Sequence, residues 1–396
     1  MINKQKVNYP RKITILGSTG TIGVNTLDLI NKNLSLYHVE ALTAFSNFNL
    51  LAEQANLFNP KTVVIGNKCY YKELKYLLSG KKVEILAGYE ALIDVAKRNV
   101  DWLMSAIVGM VGLEPSIAAI NNSSVIALAN KECLVSAGKL FMDLIQGSRT
   151  TLLPVDSEHN AIFQILDKND IQNVSKITLT ASGGPFLNTN VSDLDKVTPS
   201  DAIKHPNWKM GAKISVDSAT MMNKGLEIIE AFHLFGCSKN NLLIDIIVHP
   251  QSIIHGLVFY RDGSVMAQMG NPDMRIPISH TLFWPERSFW DPLELDLVLL
   301  SKLTFEKIDK NKFKSIQICK NALKSGGMAP TILNASNEIA VSAFLQNKIK
   351  FLDIIKILEI VLDTYSPNAE NSIENILNVD FEARKLAGQE IKKCSI

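Results

Sequence analysis

Two short stretches hold most of the side chains that can do chemistry. Val216-Asp217-Ser218-Ala219-Thr220-Met221-Met222-Asn223-Lys224-Gly225-Leu226-Glu227 crowds two carboxylates, two hydroxyls, an amide and a lysine together. If Ser218 opens a helix, Asn223 and Glu227 stand four apart on one face, with Lys224 beside them. Ser218 then serves as N-cap, and the free backbone N–H groups of the first turn face an anion. Such a surface offers donors to a phosphate and a carboxylate to a metal ion. The same residues also fit a capped amphipathic helix with a solvated Lys and Glu. The second stretch, Asp156-Ser157-Glu158-His159, follows the apolar run Thr151–Leu153 and Pro154. Residues at the carboxyl end of a strand in an open α/β sheet face the ligand crevice. In an extended chain Asp156 and Glu158 point to the same side. With Glu227 they make an all-oxygen donor set suited to Mg²⁺ or Mn²⁺. A helix N-cap at Asp156 or Ser157 is the competing local reading, and both can hold at once.

A third signal lies near the N-terminus. Gly17-Ser18-Thr19-Gly20-Thr21-Ile22-Gly23 follows the strand-like run Ile13–Leu16 and precedes a helical run from Val24. Glycines in a strand–turn–helix let the backbone close on a pyrophosphate at the helix N-terminus. The spacing is Gly-x-x-Gly-x-x-Gly, and a ligand-free glycine turn is the plain alternative. An acidic residue ending the second strand is the usual mark of NAD. Here Ala44-Phe45-Ser46-Asn47 stands there instead. The missing carboxylate favours NADP, although no Arg or Lys sits in that turn to pair with a 2′-phosphate.

Weaker candidates follow. Ser182-Gly183-Gly184-Pro185 suits a backbone nest for phosphate oxygens, or an everyday turn. His205 and Trp208, in a loop with Pro206 and Gly211, suit a closing lid. His249 and His255 lie on apolar strands and read as structural. The chain has no Gly-x-Ser-x-Gly elbow for a serine hydrolase, and Cys133 lacks the surroundings of a thiol nucleophile.

These residues need elements to carry them. Short apolar runs, Ile13–Leu16, Val39–Ala44, Thr62–Ile65, Val83–Leu86, Trp102–Ile107, Val125–Leu128 and Thr151–Leu153, alternate with helix-length segments. That rhythm predicts βα units and a doubly wound parallel sheet over residues 1–154. From 155 to 287 the strands Ile177–Thr180, Ile244–Val248, Gly256–Tyr260 and Ser264–Gln268 predict an α/β domain with a mixed or antiparallel sheet. Arg261-Asp262-Gly263 supplies its hairpin turn. Residues 288–311 read as a connection. From 312 to 396 the pattern is helical, with Ile354, Ile357, Leu358, Val361 and Leu362 on one face.

The whole-chain properties fit. A length of 396 residues calls for two or three domains. A net charge of +2 argues against nucleic acid as a partner. Five scattered cysteines with no zinc-site spacing suit a reducing cytoplasm. The polar start lacks a signal-peptide pattern, and the longest apolar stretch, Leu103–Ile120, is broken by Glu114-Pro115, so no membrane association is expected.

Together the motifs resemble the 1-deoxy-D-xylulose 5-phosphate reductoisomerase family nearly end to end. The resemblance is most specific at Leu128-Ala129-Asn130-Lys131-Glu132, Pro154-Val155-Asp156-Ser157-Glu158-His159-Asn160, Ser182-Gly183-Gly184-Pro185-Phe186, His205-Pro206-Asn207-Trp208 and the Val216–Glu227 stretch. It implies a Rossmann-type N-terminal domain, a central catalytic domain, a small C-terminal helical domain and a homodimer. It implies NADPH- and metal-dependent conversion of 1-deoxy-D-xylulose 5-phosphate to 2-C-methyl-D-erythritol 4-phosphate. Asp156, Glu158 and Glu227 are then the metal ligands, with Lys131 and Ser157 on the substrate's oxygenated carbons. Ser182, Ser218, Asn223 and Lys224 hold its phosphate, and His205, Trp208 and Met210 belong to a closing loop. Gly17, Thr19, Gly20, Thr21, Ile22, Asn130, Glu132 and Gly211 line NADPH. The family's Gly-Lys-Asn turn is Phe45-Ser46-Asn47 here, which leaves only Ser46 and Asn47 for the 2′-phosphate. Two alternatives remain at this stage: another Rossmann-type dehydrogenase, and an inactive nucleotide-binding protein of the same fold.

Overall fold

The chain is seen in a computed structural model that describes residues 9–167, 170–204, 208, 210–237, 242–287, 290–367 and 371–394. It divides into two compact units, the first comprising residues 1–130, 143–160 and 273–293, and the second the remainder. The first is built by strict alternation. Its elements are β1 (Arg11–Leu16), α1 (Thr21–Asn31), β2 (Tyr37–Ala44), α2 (Phe48–Phe58), β3 (Thr62–Ile65), α3 (Tyr71–Leu77), β4 (Glu84–Ala87), α4 (Tyr89–Ala96), β5 (Val100–Ser105), α5 (Leu113–Ala118) and β6 (Ser123–Leu128). After α6 (Lys131–Gln146), which starts in the second unit, comes β7 (Thr151–Pro154). Each apolar run in the sequence becomes one of these strands. Ile13, Ile15, Val63, Val64, Trp102, Leu103 and Ile126 are fully buried, as central strands covered on both faces require.

The seven strands run parallel in the order β4-β3-β2-β1-β5-β6-β7. The chain leaves β1 toward β2 and later returns to β5 on its other side. The carboxyl ends of β1 and β5 therefore flank the topological switch point, where such sheets bind ligands. The first unit also takes in a stretch that the sequence rhythm grouped with the second domain. This is α11 (Arg275–Phe283), held by hydrogen bonds that no local pattern announces. Arg11 Nη1 donates to Leu282 O at 2.6 Å and Trp102 Nε1 to Thr281 O at 3.0 Å.

The second unit holds α7 (Ser157–Ile165, entered from the first), β8 (Val174–Ala181), α8 (Pro199–Ala202), α9 (Ala212–Ala219), α10 (Met222–Leu234), β9 (Leu243–Val248), β10 (Ile254–Tyr260) and β11 (Val265–Met269). Its sheet order is β11-β10-β8-β9, with β8 and β9 parallel and the other pairs antiparallel, a mixed sheet as expected. The predicted hairpin turn is present, with Gly263 at φ +92° and Ser264 N donating to Asp262 Oδ1 at 2.8 Å. Ile162, Ile177, Leu179, Ala231, Phe235 and Val258 form the core beneath this sheet.

The rest of the unit is α12 (Leu297–Leu300), α13 (Ser315–Ser325), α14 (Ala329–Leu345), α15 (Phe351–Thr364) and α16 (Ile373–Cys394). Helix α15 buries Ile354, Ile357, Leu358 and Val361, the face its spacing predicted. The longer α14 is unusual in burying polar residues along with apolar ones: Thr331, Asn334, Ser336 and Asn337. No described helix is long and apolar enough to cross a membrane.

Candidate active site

The glycine loop after β1 is built from backbone constraints. Gly17 has φ +84°, and a Cβ there would lie 2.6 Å from Ala106 O. A Cβ on Gly23 would collide with the Gly17 carbonyl and Ser18. Only glycine lets α1 start this close to the strand. The turn is tied down by Gly17 N to Thr43 Oγ1 (2.9 Å), Ser18 N to Thr43 O (2.8 Å) and Ser18 Oγ to Gln54 Oε1 (2.7 Å). The N-cap of α1 is Gly20, which caps with no side chain, and its first turn holds no acidic residue. Exposed Gly20 and Thr21 thus present a helix N-terminus that is open to an anion.

A neighbouring segment escaped the sequence reading. Residues 106–112, the loop after β5, back onto Gly17 and are pinned by Asn130 Nδ2, which donates to Ile107 O (2.5 Å) and Gly109 O (2.9 Å). Its Val108 and Val111 are 73% and 53% exposed, so the loop adds an apolar wall at the switch point. The available signal was a strand ending in a glycine-bearing turn, but the segment carries no titratable group to draw notice. Ser46 and Asn47 are exposed at the end of β2, and Asn47 Oδ1 is committed to capping α2 through Leu50 N at 3.2 Å.

The acidic stretch departs from its extended reading. Ser157 and Glu158 form the first turn of α7, and Asp156 O accepts from Asn160 N at 2.8 Å, so the chain is already helical there. Asp156 and Glu158 therefore do not alternate like strand residues. A helix start replaces the extended reading because Pro154 ends the strand and helical hydrogen bonding begins immediately. Ser157 Oγ donates to Glu158 Oε2 at 2.6 Å, and the buried His159 sets Nδ1 3.7 Å from Asp156 Oδ2. Asp156 and Glu158 belong to the first unit and Glu227 to the second.

Ser218 does not open a helix either. It lies in the last turn of α9, and α10 begins at Met222 after Met221 takes the left-handed conformation at φ 60°. Met221 is the N-cap and supplies no side-chain bond, while Thr220 Oγ1, one residue before it, accepts from Met222 N at 3.2 Å. The rest of the one-face reading holds. Asn223 Nδ2 donates to Glu227 Oε1 at 2.5 Å and Lys224 Nζ to Oε2 at 2.5 Å. From the start of α6, Lys131 Nζ reaches Asn223 Oδ1 at 2.9 Å and Glu227 Oε1 at 3.3 Å. Lys131, Lys224 and Glu227 are all buried. Two ammonium groups around one carboxylate leave positive charge in excess, the sign an anionic substrate needs.

The glycine pair meets the end of α9. Gly183 and Gly184 have φ +87° and +68°, and a Cβ on Gly184 would lie 2.6 Å from Ser218 O. The Ser182 loop and the end of α9 are thus in backbone contact, and Ser182 Oγ accepts from Gly184 N at 3.2 Å. Ser182, Ser218, Asn223, Lys224 and Lys131 all belong to the second unit.

Of the expected lid, His205 lies outside the described residues. The Trp208 ring stands 6.1 Å from that of His255, Met210 is half-buried, and Gly211 is the N-cap of α9. Glu132, next to Lys131, pairs with Lys213 at 2.7 Å. Burial opposes its ionisation, but the Lys213 ammonium more than offsets this and holds the carboxyl below its ordinary range.

Family profiles match along most of the chain. One described as 1-deoxy-D-xylulose 5-phosphate reductoisomerase covers residues 13–138, and its C-terminal domain profile covers 152–235. A further DXP reductoisomerase C-terminal domain profile covers 269–386. A 1-deoxy-D-xylulose 5-phosphate reductoisomerase from Zymomonas mobilis is 50% identical over 378 residues, 96% of this chain and 97% of that protein. This chain belongs to the 1-deoxy-D-xylulose 5-phosphate reductoisomerase family. The relative from Rhodospirillum centenum is 47% identical over 379 residues, 96% of this chain and 94% of that one. The Zymomonas mobilis reductoisomerase solved with NADPH superposes with a TM-score of 0.90 at 49% identity, covering 96% of this chain and 99% of that one. A reductoisomerase solved with NADPH, fosmidomycin and magnesium gives 0.92 at 40% identity, covering 96% and 98%. The architecture read from the sequence is that of these reductoisomerase structures.

Proposed function

We propose that this chain isomerises and reduces 1-deoxy-D-xylulose 5-phosphate to 2-C-methyl-D-erythritol 4-phosphate, using NADPH and a divalent cation. The observation that carries this reading is the buried Lys131–Glu227–Lys224 cluster, in the same unit as the Gly184–Ser218 contact. It combines an excess of positive charge with a carboxylate and a hydroxyl-bearing wall, which a plain hydroxy-acid dehydrogenase or a nucleotide sensor does not need.

The residues fit both groups. The turn at Gly17 and Gly23 is a cradle that any Cβ would fill, below an uncapped helix N-terminus. NADPH would lie there, on Gly17, Thr19, Gly20, Thr21 and Ile22, with Ser46 and Asn47 toward the 2′-phosphate. Asn130, Glu132 and Gly211 would face its nicotinamide half. Asp156, Glu158 and Glu227 offer only carboxylate oxygens, the donor set of a hard cation such as Mg²⁺ or Mn²⁺. When bound, the cation supplies Lewis-acid stabilisation of negative charge on the substrate's ketone and hydroxyl oxygens.

The chain's own residues do the remaining work. Ser182, Ser218, Asn223 and Lys224 grip the phosphate, so a fragment released in a retro-aldol/aldol rearrangement stays beside its partner. Recombination then behaves as a unimolecular step. Lys131 and Ser157 hold the oxygenated carbons. The loop of His205, Trp208 and Met210 closes over the site and excludes water.

Two copies pair, we further propose, through the edge strand β11. Val265 and Met266 are 45% and 50% exposed on this edge, and an apolar open edge invites another strand. The five cysteines form no disulfide among the described residues, which suits the cytoplasm.

Purified protein with substrate, NADPH and Mg²⁺ or Mn²⁺ should oxidise NADPH only when metal is present. Folded protein that shows no metal-dependent oxidation overturns the reading. Turnover of a plain hydroxy acid without metal would favour a simple dehydrogenase. NADPH binding with neither metal nor substrate binding would favour an inactive binder. Light scattering should give the mass of a dimer, and a monomer at micromolar concentration would sink the pairing.

A further inference from the structure

Lys213 lies in the first turn of α9, two residues after Gly211, and its ammonium is shared between two helices. Nζ stands 2.7 Å from Glu132 Oε1 on α6 and 2.9 Å from Asp217 Oδ2 on α9. Both carboxylates are sequestered, with side chains 9% and 1% exposed. Glu132 follows Lys131, and Asp217 precedes Ser218. One cation therefore ties together the sequence neighbours of two substrate-handling residues.

A third helix closes the arrangement. Asn337 Nδ2 on α14 donates to Asp217 Oδ1 at 2.8 Å. Glu338, next along α14, also lies in the field of Lys213, but it is paired with Arg384 of α16 at 2.6 Å, which Asp380 shares. The charged groups facing Lys213 are thus Glu132, Asp217 and Glu338, and the first two have it as their near cation. A buried ion pair adds little stability compared with well-packed apolar residues, whereas removing one partner leaves uncompensated charge. Three buried or half-buried charges are therefore a poor way to gain stability and an effective way to fix geometry.

We propose that Lys213 is a positioning residue for the reaction: by neutralising Glu132 and Asp217 together, it clamps the start of α6 to α9 and so sets the spacing of Lys131 and Ser218. The role assigned to it is to hold other groups in place rather than to contact the reacting atoms. The inference rests on the substrate roles proposed for Lys131 and Ser218, and the two fail differently. Unchanged kcat and KM in both Lys131→Ala and Ser218→Ala sink those roles. Impaired kinetics there with wild-type kinetics in Lys213→Met sink the clamp alone.

The test compares Lys213→Met, Lys213→Arg, Asp217→Asn and the double variant Lys213→Met/Asp217→Asn. Steady-state assays with 1-deoxy-D-xylulose 5-phosphate and NADPH are run alongside circular dichroism and Tm. Lys213→Met, folded at the assay temperature, should lose kcat by about 100-fold, as an ångström-scale misplacement does, and should raise the substrate KM. Lys213→Arg should stay within about fivefold of wild type because the charge remains. The double variant should recover at least about tenfold of the lost kcat, since one of two uncompensated carboxylates is gone. A lower Tm with wild-type kcat and KM in Lys213→Met would reduce the residue to a structural ion pair and overturn the proposal. So would a double variant no better than Lys213→Met. If Lys213→Met does not fold, Asn337→Ala keeps every charge and removes only the donor to Asp217. It should raise the substrate KM severalfold, and unchanged kinetics there overturn the clamp.

Discussion

Lys224 Nζ lies 2.5 Å from Glu227 Oε2, one turn apart on α10, with both side chains buried. Lys131 meets the other carboxylate oxygen at 3.3 Å. One carboxylate thus belongs at once to the proposed metal shell and to two lysines, Lys224 assigned to the phosphate and Lys131 to the oxygenated carbons. Glu227→Gln keeps the shape and an acceptor oxygen but removes the charge. Turnover should fall on the order of 10³-fold, because metal-assisted charge stabilisation is lost. NADPH affinity, measured by fluorescence titration, should stay within about twofold, a difference of under half a kcal/mol. Nucleotide binding lost together with activity would contradict the assignment. Dialysis of the wild-type enzyme against EDTA should likewise abolish turnover, and added Mg²⁺ should restore it.

At Gly17 the backbone conformation and the Ala106 carbonyl both exclude a side chain. A non-glycine residue held in such a conformation costs about 1–3 kcal/mol. Gly17→Ala should therefore lower Tm and weaken NADPH binding by about tenfold, the equivalent of 1.4 kcal/mol. Isothermal titration gives the second figure directly, and wild-type affinity would show that the turn does not carry the nucleotide.

Ser46 stands where the family's turn carries lysine. Ser46→Lys places an ammonium where the 2′-phosphate is proposed to lie, a charge-assisted contact worth about 1.5–3 kcal/mol when well formed. The ratio of kcat/KM for NADPH over NADH should rise, and the gain should shrink at high salt. An unchanged ratio would put the 2′-phosphate elsewhere.

His280 is one of two buried histidines expected to make the fold sensitive to acid. Burial, then the nearby Arg287, lower its pKa to about 4, and its Nδ1 lies 3.1 Å from Asn160 Nδ2. Asn160 also donates to Pro154 O at 2.8 Å, so its amide faces the ring as a donor and the neutral imidazole accepts. Between the ordinary histidine pKa of about 6.5 and the folded value, only the unfolded chain takes up the proton. Stability should be level above that window and should fall as pH drops through it, by up to about 3 kcal/mol for this group. His280→Asn, which keeps an acceptor, should reduce the loss of urea stability between pH 7 and 5. His233, lowered to about 4 by burial, retains its own share. An equal loss in the variant would assign the acid sensitivity to other groups.

Much of the fold was legible because its signals are local. Every apolar run in the first domain became a strand, and Asp262-Gly263 turned its hairpin. The face of α15 followed from spacing alone. The site was legible as a set of residues but less so as geometry. Ser218 looks like an N-cap by composition, yet the break falls three residues later, where Met221 goes left-handed and becomes the N-cap. Asp156 and Glu158 follow a strand, but helical hydrogen bonding begins at once. Residues 106–112 carry no charge, and their importance comes from contacts with Gly17 and Asn130, which only the folded chain brings near. The return of α11 to the first sheet rests on Arg11 and Trp102, about 180 residues or more away in sequence.

The contact between Gly184 and Ser218 joins two main chains with no side chain between them. A separation set in this way acts as a fixed calliper. Repacking of neighbouring side chains does not open or narrow it, and a residue larger than glycine at 184 is excluded by both conformation and space. An inhibitor that grips the surface these two segments form together would meet a shape that few single substitutions can redraw while leaving the catalyst intact.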